Sequence, residues 1–168
     1  MSSQSPISAR AGQDCRQPGN PDIATPTPRQ PAQLVDELSH KLVAAIQPLQ
    51  FDVARTEVQR AAVFRLRYQA VIAHGWASPE AMPDGMEHDE YDESAILITC
   101  WDDDVLAATT RIVLPAPGRL LPTEAAFGLT VEPQGLVADM GRQTVARTYS
   151  TLRHRVFAAI LAQTWLEI

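Results

Sequence analysis

The chain has 168 residues, enough for one domain with some tail, and its net charge of -6 with a pI of about 5.1 gives no basic footprint for nucleic acid. Hydrophobic residues make up 45% and charged residues 20%, which suits a globular core rather than a disordered chain. No apolar run approaches the roughly 20 residues of a membrane span, and MSSQSPISARAGQD holds no apolar centre for a secretory signal.

Residues 1 to about 32 carry Pro6, Pro18, Pro21, Pro26, Pro28 and Pro31 among Gly, Ser, Thr and Gln. Such a segment buries too little apolar surface to offset its ordering entropy, so a disordered tail is expected, with the folded domain over 33–168. Cys15 lies in that tail and Cys100 in an apolar run. Settings so different do not make a disulfide framework, and a reducing, cytoplasmic location is expected.

Leu34, Val35, Leu38, Leu42 and Ile46 recur at helical spacing, which predicts a helix over 32–47 that Pro48 stops. Ala61, Phe64, Tyr68, Val71 and Ile72 predict a second helix over 52–73, broken by Gly75. Arg65 and Arg67 fall on the margins of its apolar stripe. The loop WASPEAMPDGMEHDEYDES follows, dense in acids. Apolar runs over 95–101 and 105–114, separated by Asp102, Asp103 and Asp104, predict a hairpin covered on both faces. Beyond a long loop with a short helix near 123–127, the spacing predicts a strand over 136–146 and a helix over 151–168. The expected class is α+β, a largely antiparallel sheet flanked by helices. Since 168 falls inside an uncapped apolar helix, further strands are expected beyond it.

Arg111 interrupts TTRIVLP, a strand that otherwise reads as buried. A buried guanidinium needs a carboxylate partner, because unpaired charge is costly in a low dielectric. The acid run Glu87–Asp92 just before the hairpin can supply one. Taken singly, these charges read equally as a solvated loop and surface arginines. His74 and His88 have no second His or Cys at ligand spacing, so no metal is expected.

The string LRYQAVIAHGW, then E-H-D-E-Y-D, then TTRIVLP, then D-M-G-R-Q-T-V resembles the N-acyl amino acid synthases and the acyl-homoserine-lactone synthases, both of the GNAT superfamily of N-acyltransferases. The resemblance runs from about Phe64 to Val145 and implies a GNAT-like fold. It implies transfer of an acyl group from acyl carrier protein or acyl-CoA to an amino acid-like amine. It matches Arg67 and Trp76 to the Arg and Trp that close over the site, and Glu87, Asp89 and Asp92 to the family's acidic trio. Arg111 matches the strand Arg, Phe127 an aromatic in the following loop, and Asp139 and Arg142 the E-x-[SG]-R motif. Asp139 stands where Glu is usual, Gln143 where an apolar residue is common, and Val71 where Phe is frequent. Gly141 resembles the N-acyl amino acid branch rather than the lactone synthases, whose amine is S-adenosylmethionine.

Aminolysis of a thioester needs a free amine, so a carboxylate must accept a proton, directly or through water. Asp139 and Glu87 are the candidates, with Arg67, Trp76, Asp89, Asp92, Arg111, Phe127 and Arg142 in the substrate site. Arg147 and Arg153, beside an expected helix start, are placed to meet the donor's phosphates. No glycine-rich phosphate loop follows Val145, which favours an acyl carrier protein as donor. No permanently bound cofactor is expected. Two other readings stay open: a homoserine-lactone synthase, and a non-catalytic domain that binds the acyl carrier. On a regular strand Asp139 and Arg142 would face opposite sides, and only a β-bulge would bring them to one face.

Overall fold

The computed structural model describes residues 30–133 and 135–168. Most of the expected tail, residues 1–29, lies outside the described residues. Pro31, read above as tail, instead opens the first helix α1, Pro31–Ala44, one residue before the expected start at Ala32. Proline suits that first position, where its missing N–H costs nothing. The helix ends three residues before the expected Gln47, and 45–48 form a turn into Pro48.

The expected second helix starts too early in the sequence reading. Gln50–Val53 is a strand, β1, and α2 covers Glu57–Ala73. Thr56 sets that start: its Oγ1 accepts from the Gln59 N–H at 3.2 Å, and Gln59 Oε1 accepts from the Thr56 N–H at 3.1 Å. This reciprocal pair satisfies donors that the first turn leaves free. The hairpin follows as β2, Ile96–Asp102, and β3, Val105–Val113. Asp103 takes its tight turn at φ 49°, a conformation that Asp tolerates better than most residues. The short helix α3 is Pro122–Phe127, β4 is Asp139–Val145, and α4 is Arg153–Glu167 after a 3₁₀ turn over Arg147–Leu152.

The four strands form one antiparallel sheet in the order β1-β2-β3-β4. Alternation along β2 and β3 splits their apolar residues between two layers. Leu97 and Val113 pack with Val63 of α2, Ala54, Ala95 and Leu121. Ile98, Cys100, Ala108 and Ile112 pack on the other face with Val156, Ala159 and Ile160 of α4. Helix α1 lies against α4 and is tied to it through Trp165 Nε1, which donates to Asp36 Oδ1 at 2.8 Å. Tyr149 donates to Asp102 Oδ2 at 2.8 Å, fastening the hairpin tip to the turn that leads into α4. Among the described residues no helix is long and apolar enough to cross a membrane.

The register of β4 departs from regularity where the motif residues lie. Thr109 pairs with Thr144 and Arg111 with Gly141, so between these pairs one residue of β3, Thr110, faces two of β4, Arg142 and Gln143. Arg142 sits in this bulge at φ 55°, which few non-glycine residues adopt. The bulge turns the Arg142 side chain toward α2, the face that Asp139 shares by pairing with Val113.

Candidate active site

Helix α2, the acid loop, β3 and β4 meet around six charged side chains. Arg67 projects from α2 and is 2% exposed, so it lies in the middle of the packed face rather than on its margin. Its Nη1 and Nη2 donate to the two Asp92 carboxylate oxygens at 2.7 and 3.0 Å, while its Nε donates to Glu87 Oε2. Arg111 on β3 donates to Asp89 Oδ1 at 2.5 Å and lies 3.2 Å from Asp92 Oδ2. Arg142, on the bulge, donates from Nε to Glu87 Oε1 at 2.8 Å and from Nη2 to Asp89 Oδ2 at 3.0 Å. The paired carboxylate expected for Arg111 is therefore present, and Arg67 and Arg142 share the same acids.

Local bonds hold the acid loop in this shape. The Glu87 N–H donates to the Phe64 carbonyl at 3.0 Å, which pins the loop to α2. Asp92 Oδ2 accepts from the Asp89 N–H at 2.9 Å, and Asp89 Oδ1 from the Tyr91 N–H at 2.9 Å. Arg60 reaches across to the Asp92 carbonyl. Phe64 lies under the guanidiniums of Arg60 and Arg67, at 5.7 and 5.5 Å from its ring centre.

Burial alone would push the Asp92 carboxyl up, but the bonds and charge of Arg67, the Asp89 N–H and the charge of Arg111 outweigh it and hold the carboxyl below its usual range. For Arg67, burial acts downward and the two carboxylates more than reverse it. Both groups stay charged at neutral pH. Burial, helped by Asp102, pushes the Cys100 thiol up to about 12, so it is a core residue and not a nucleophile.

The charge grades from interior to surface. Side chains of Arg67, Asp92 and Arg111 are 2–3% exposed, and that of Arg142 is 43% exposed. Arg142 borders a cleft of about 120 Å³ between α2 and β4, lined also by Arg67, Val71, His74, Trp76, Glu87, Thr144 and Arg153. Two of its five N–H donors serve Glu87 and Asp89. Trp76, largely exposed, stacks on His74 at 4.8 Å to form the lip.

Of the residues expected in the site, Arg67, Trp76, Glu87, Arg142 and Arg153 line this cleft, and Asp89, Asp92 and Arg111 back it. Asp139 shares the sheet face but borders a neighbouring pocket with Leu121, Thr123 and Val137, where its Oδ2 accepts from the Thr123 N–H at 2.6 Å. Phe127 ends α3 and is exposed, and Arg147 starts the 3₁₀ turn and is exposed. Sequence reasoning passed over Arg60, Tyr91 and the cleft position of His74. The Tyr inside the acid run was the available sign for Tyr91, since a loop of solvated acids has no use for a ring.

A family model described as N-acyl amino acid synthase FeeM matches residues 62–166. The chain belongs to the N-acyl amino acid synthase family. The matched stretch starts in α2, ends in α4 and holds all six charges of the network. Membership makes the chain an enzyme of acyl transfer to an amine. Among solved structures it is similar to the crystal structure of the AHL synthase LasI, at 16% identity over 67% of each chain with a TM-score of 0.44. A search of curated proteins finds no match.

Removing one arginine from this cluster strands buried carboxylates. Arg67→Met is expected to cost about 3–5 kcal/mol, read by urea denaturation. A loss under about 1 kcal/mol would mean that the acids are solvated. The depressed Asp92 carboxyl contributes stability that is full above the ordinary aspartate value of about 3.9 and is lost as pH falls through its lower folded value. Wild-type stability should therefore fall steeply below about pH 4, and in Asp92→Asn that slope should be shallower in pH-dependent melting.

Proposed function

We propose that the chain transfers an acyl group from an acyl carrier protein or acyl-CoA thioester to the amine of an amino acid-like acceptor. The observation that carries this reading is Arg142, exposed on the cleft and held by Glu87 and Asp89. A guanidinium fixed in this way suits a carboxylate as a two-bond partner. The acids beside it suit the ammonium at the other end of an amino acid. One small cleft thus offers complementary charges to both ends of a zwitterion.

The chemistry then follows from the acceptor's orientation. The ammonium loses a proton to a carboxylate, directly or through water, with Glu87 on the cleft and Asp139 on the same sheet face as the candidates. The freed amine attacks the thioester carbonyl, the C–S bond breaks and the thiolate leaves with a proton. The bulge in β4 frees backbone groups from pairing, and an N–H there suits the developing oxyanion. Arg153 on the cleft and Arg147 beyond it suit the phosphate of a pantetheine arm. Trp76 at the lip suits the apolar start of an acyl chain. Arg67, Asp92 and Arg111 act by holding the others, since their charge is spent within the network.

Two kinetic experiments test this. Arg142→Met should raise the KM for an amino acid acceptor about 10- to 100-fold, since a hydrogen bond to a charged group is worth about 1.5–3 kcal/mol. The matching decarboxylated amine should be as poor a substrate for the wild type as the amino acid is for the variant. An acceptor preference indifferent to the carboxylate would end the amino-acid reading. Asp139→Asn should lower turnover roughly 100-fold with the melting temperature kept. If Asp139 only fastens α3 through Thr123, stability falls and turnover per folded molecule stays.

A further inference from the structure

The ring of Tyr91 packs against two guanidiniums. Arg111, of the charge network, lies 5.8 Å from its centre, and Arg119 lies 4.3 Å from it. Arg119 is also fixed to both flanks of Tyr91: Nη2 donates to the Glu90 carbonyl at 2.7 Å, and Nη1 to Ser94 Oγ at 3.4 Å. The Tyr91 N–H donates to Asp89 Oδ1, the oxygen that Arg111 also binds. The other oxygen, Asp89 Oδ2, receives Arg142.

These contacts form one connected path. Arg119 presses on Tyr91, Tyr91 covers Arg111 and fixes Asp89, and Asp89 aims the Arg142 guanidinium at the cleft. We propose that Tyr91, clamped by Arg119, is a positioning residue for the acceptor: its ring and N–H fix the Asp89 carboxylate and so set the direction of Arg142. The inference rests on the reading that Arg142 receives the acceptor carboxylate. The ring face is the working part, because a cation over a π face is attracted by the ring itself and not by the hydroxyl. Without the ring, the Arg111 guanidinium loses its cover and can shift, and Asp89, still held by the N–H of residue 91, shifts with the guanidinium it pairs with. Asp89 is 23% exposed at its side chain, so it has room to follow. Glu87 would still hold Arg142 through Nε, so the guanidinium would swing rather than detach.

The consequence is selective. A looser Arg142 weakens capture of the acceptor and leaves the donor end, near Arg153, as it was. Tyr91→Leu should raise the acceptor KM about tenfold, with the donor KM and turnover at saturation within about twofold of wild type. Tyr91→Phe keeps the ring and should behave as wild type. Arg119→Gln should give the same acceptor-specific change, smaller in size. Palmitoyl-CoA and palmitoyl-acyl carrier protein would serve as donors and each of the twenty amino acids as acceptor, with steady-state kinetics on the best pair and melting curves alongside. An unchanged acceptor KM in Tyr91→Leu overturns the proposal while leaving the functional reading in place. Equal changes in both KM values, or failure of Tyr91→Phe to restore wild-type behaviour, overturn it too. A folded wild type with no acyl transfer to any amino acid overturns the functional reading and this inference together.

Discussion

Three guanidiniums and three carboxylates, closed largely out of water, hold this site together. Moving each charge out of water is costly, and the attraction between them compensates only where geometry is good and the remaining donors are satisfied. Here Arg67 takes both oxygens of Asp92, and Arg142 bridges Glu87 and Asp89. Each arginine comes from a different element: Arg67 from α2, Arg111 from β3 and Arg142 from β4. The loop that carries the acids has no regular strand or helix of its own between Asp89 and Asp92, yet it is fixed because each acid has a partner on the scaffold. The unusual backbone of Arg142 belongs to the same economy. Its left-handed φ is unfavourable for a residue with a Cβ, and two ion pairs reward the direction that it imposes.

The cluster also bears on what kind of transfer this domain performs. Cys100 lies fully buried in the core, with burial disfavouring its thiolate, so it is not placed to act as a nucleophile. The arrangement around Arg142 instead suits direct attack by an oriented amine. In such a scheme the protein contributes position and charge, and the chemical reactivity comes from the thioester itself.

Much of this was legible in the sequence, for identifiable reasons. The hairpin was readable because β2 and β3 are long, apolar and separated by three aspartates. The partner of Arg111 was predictable because a lone charge in such a strand has few options. Strand β1 was not readable: it has four residues, QFDV, and its Asp52 reads as a helix start beside the true one at Thr56. The spacing of Thr56 and Gln59 marked that start, but the apolar pattern running up to it drew the boundary too far forward. Arg67 was placed on a margin because periodicity counts a charge as outward-facing, whereas pairing lets it sit inside. The bulge at Arg142 was anticipated only as a requirement of the motif, since no local sequence signal separates a bulged strand from a straight one. The distance of Asp139 from the cleft depends on the α3 loop, whose path no periodicity describes.

The contact between α1 and α4 has a bearing on how the chain reaches its shape. Trp165 and Asp36 are 129 residues apart in sequence, and Arg155, which donates to the Ala45 carbonyl at 2.5 Å, is 110 residues beyond it. During synthesis α1 leaves the ribosome long before its partner exists. Helix α1 must then wait without its α4 contacts while the hairpin forms from nearby residues. Long-range closure of this kind comes late and slowly, because a large loop must be ordered before the contact repays it. The layer built by α1 and α4 thus settles after the hairpin, and a ribosome-bound chain halted before α4 would carry the acid loop and hairpin without the layer that covers the hairpin's far face.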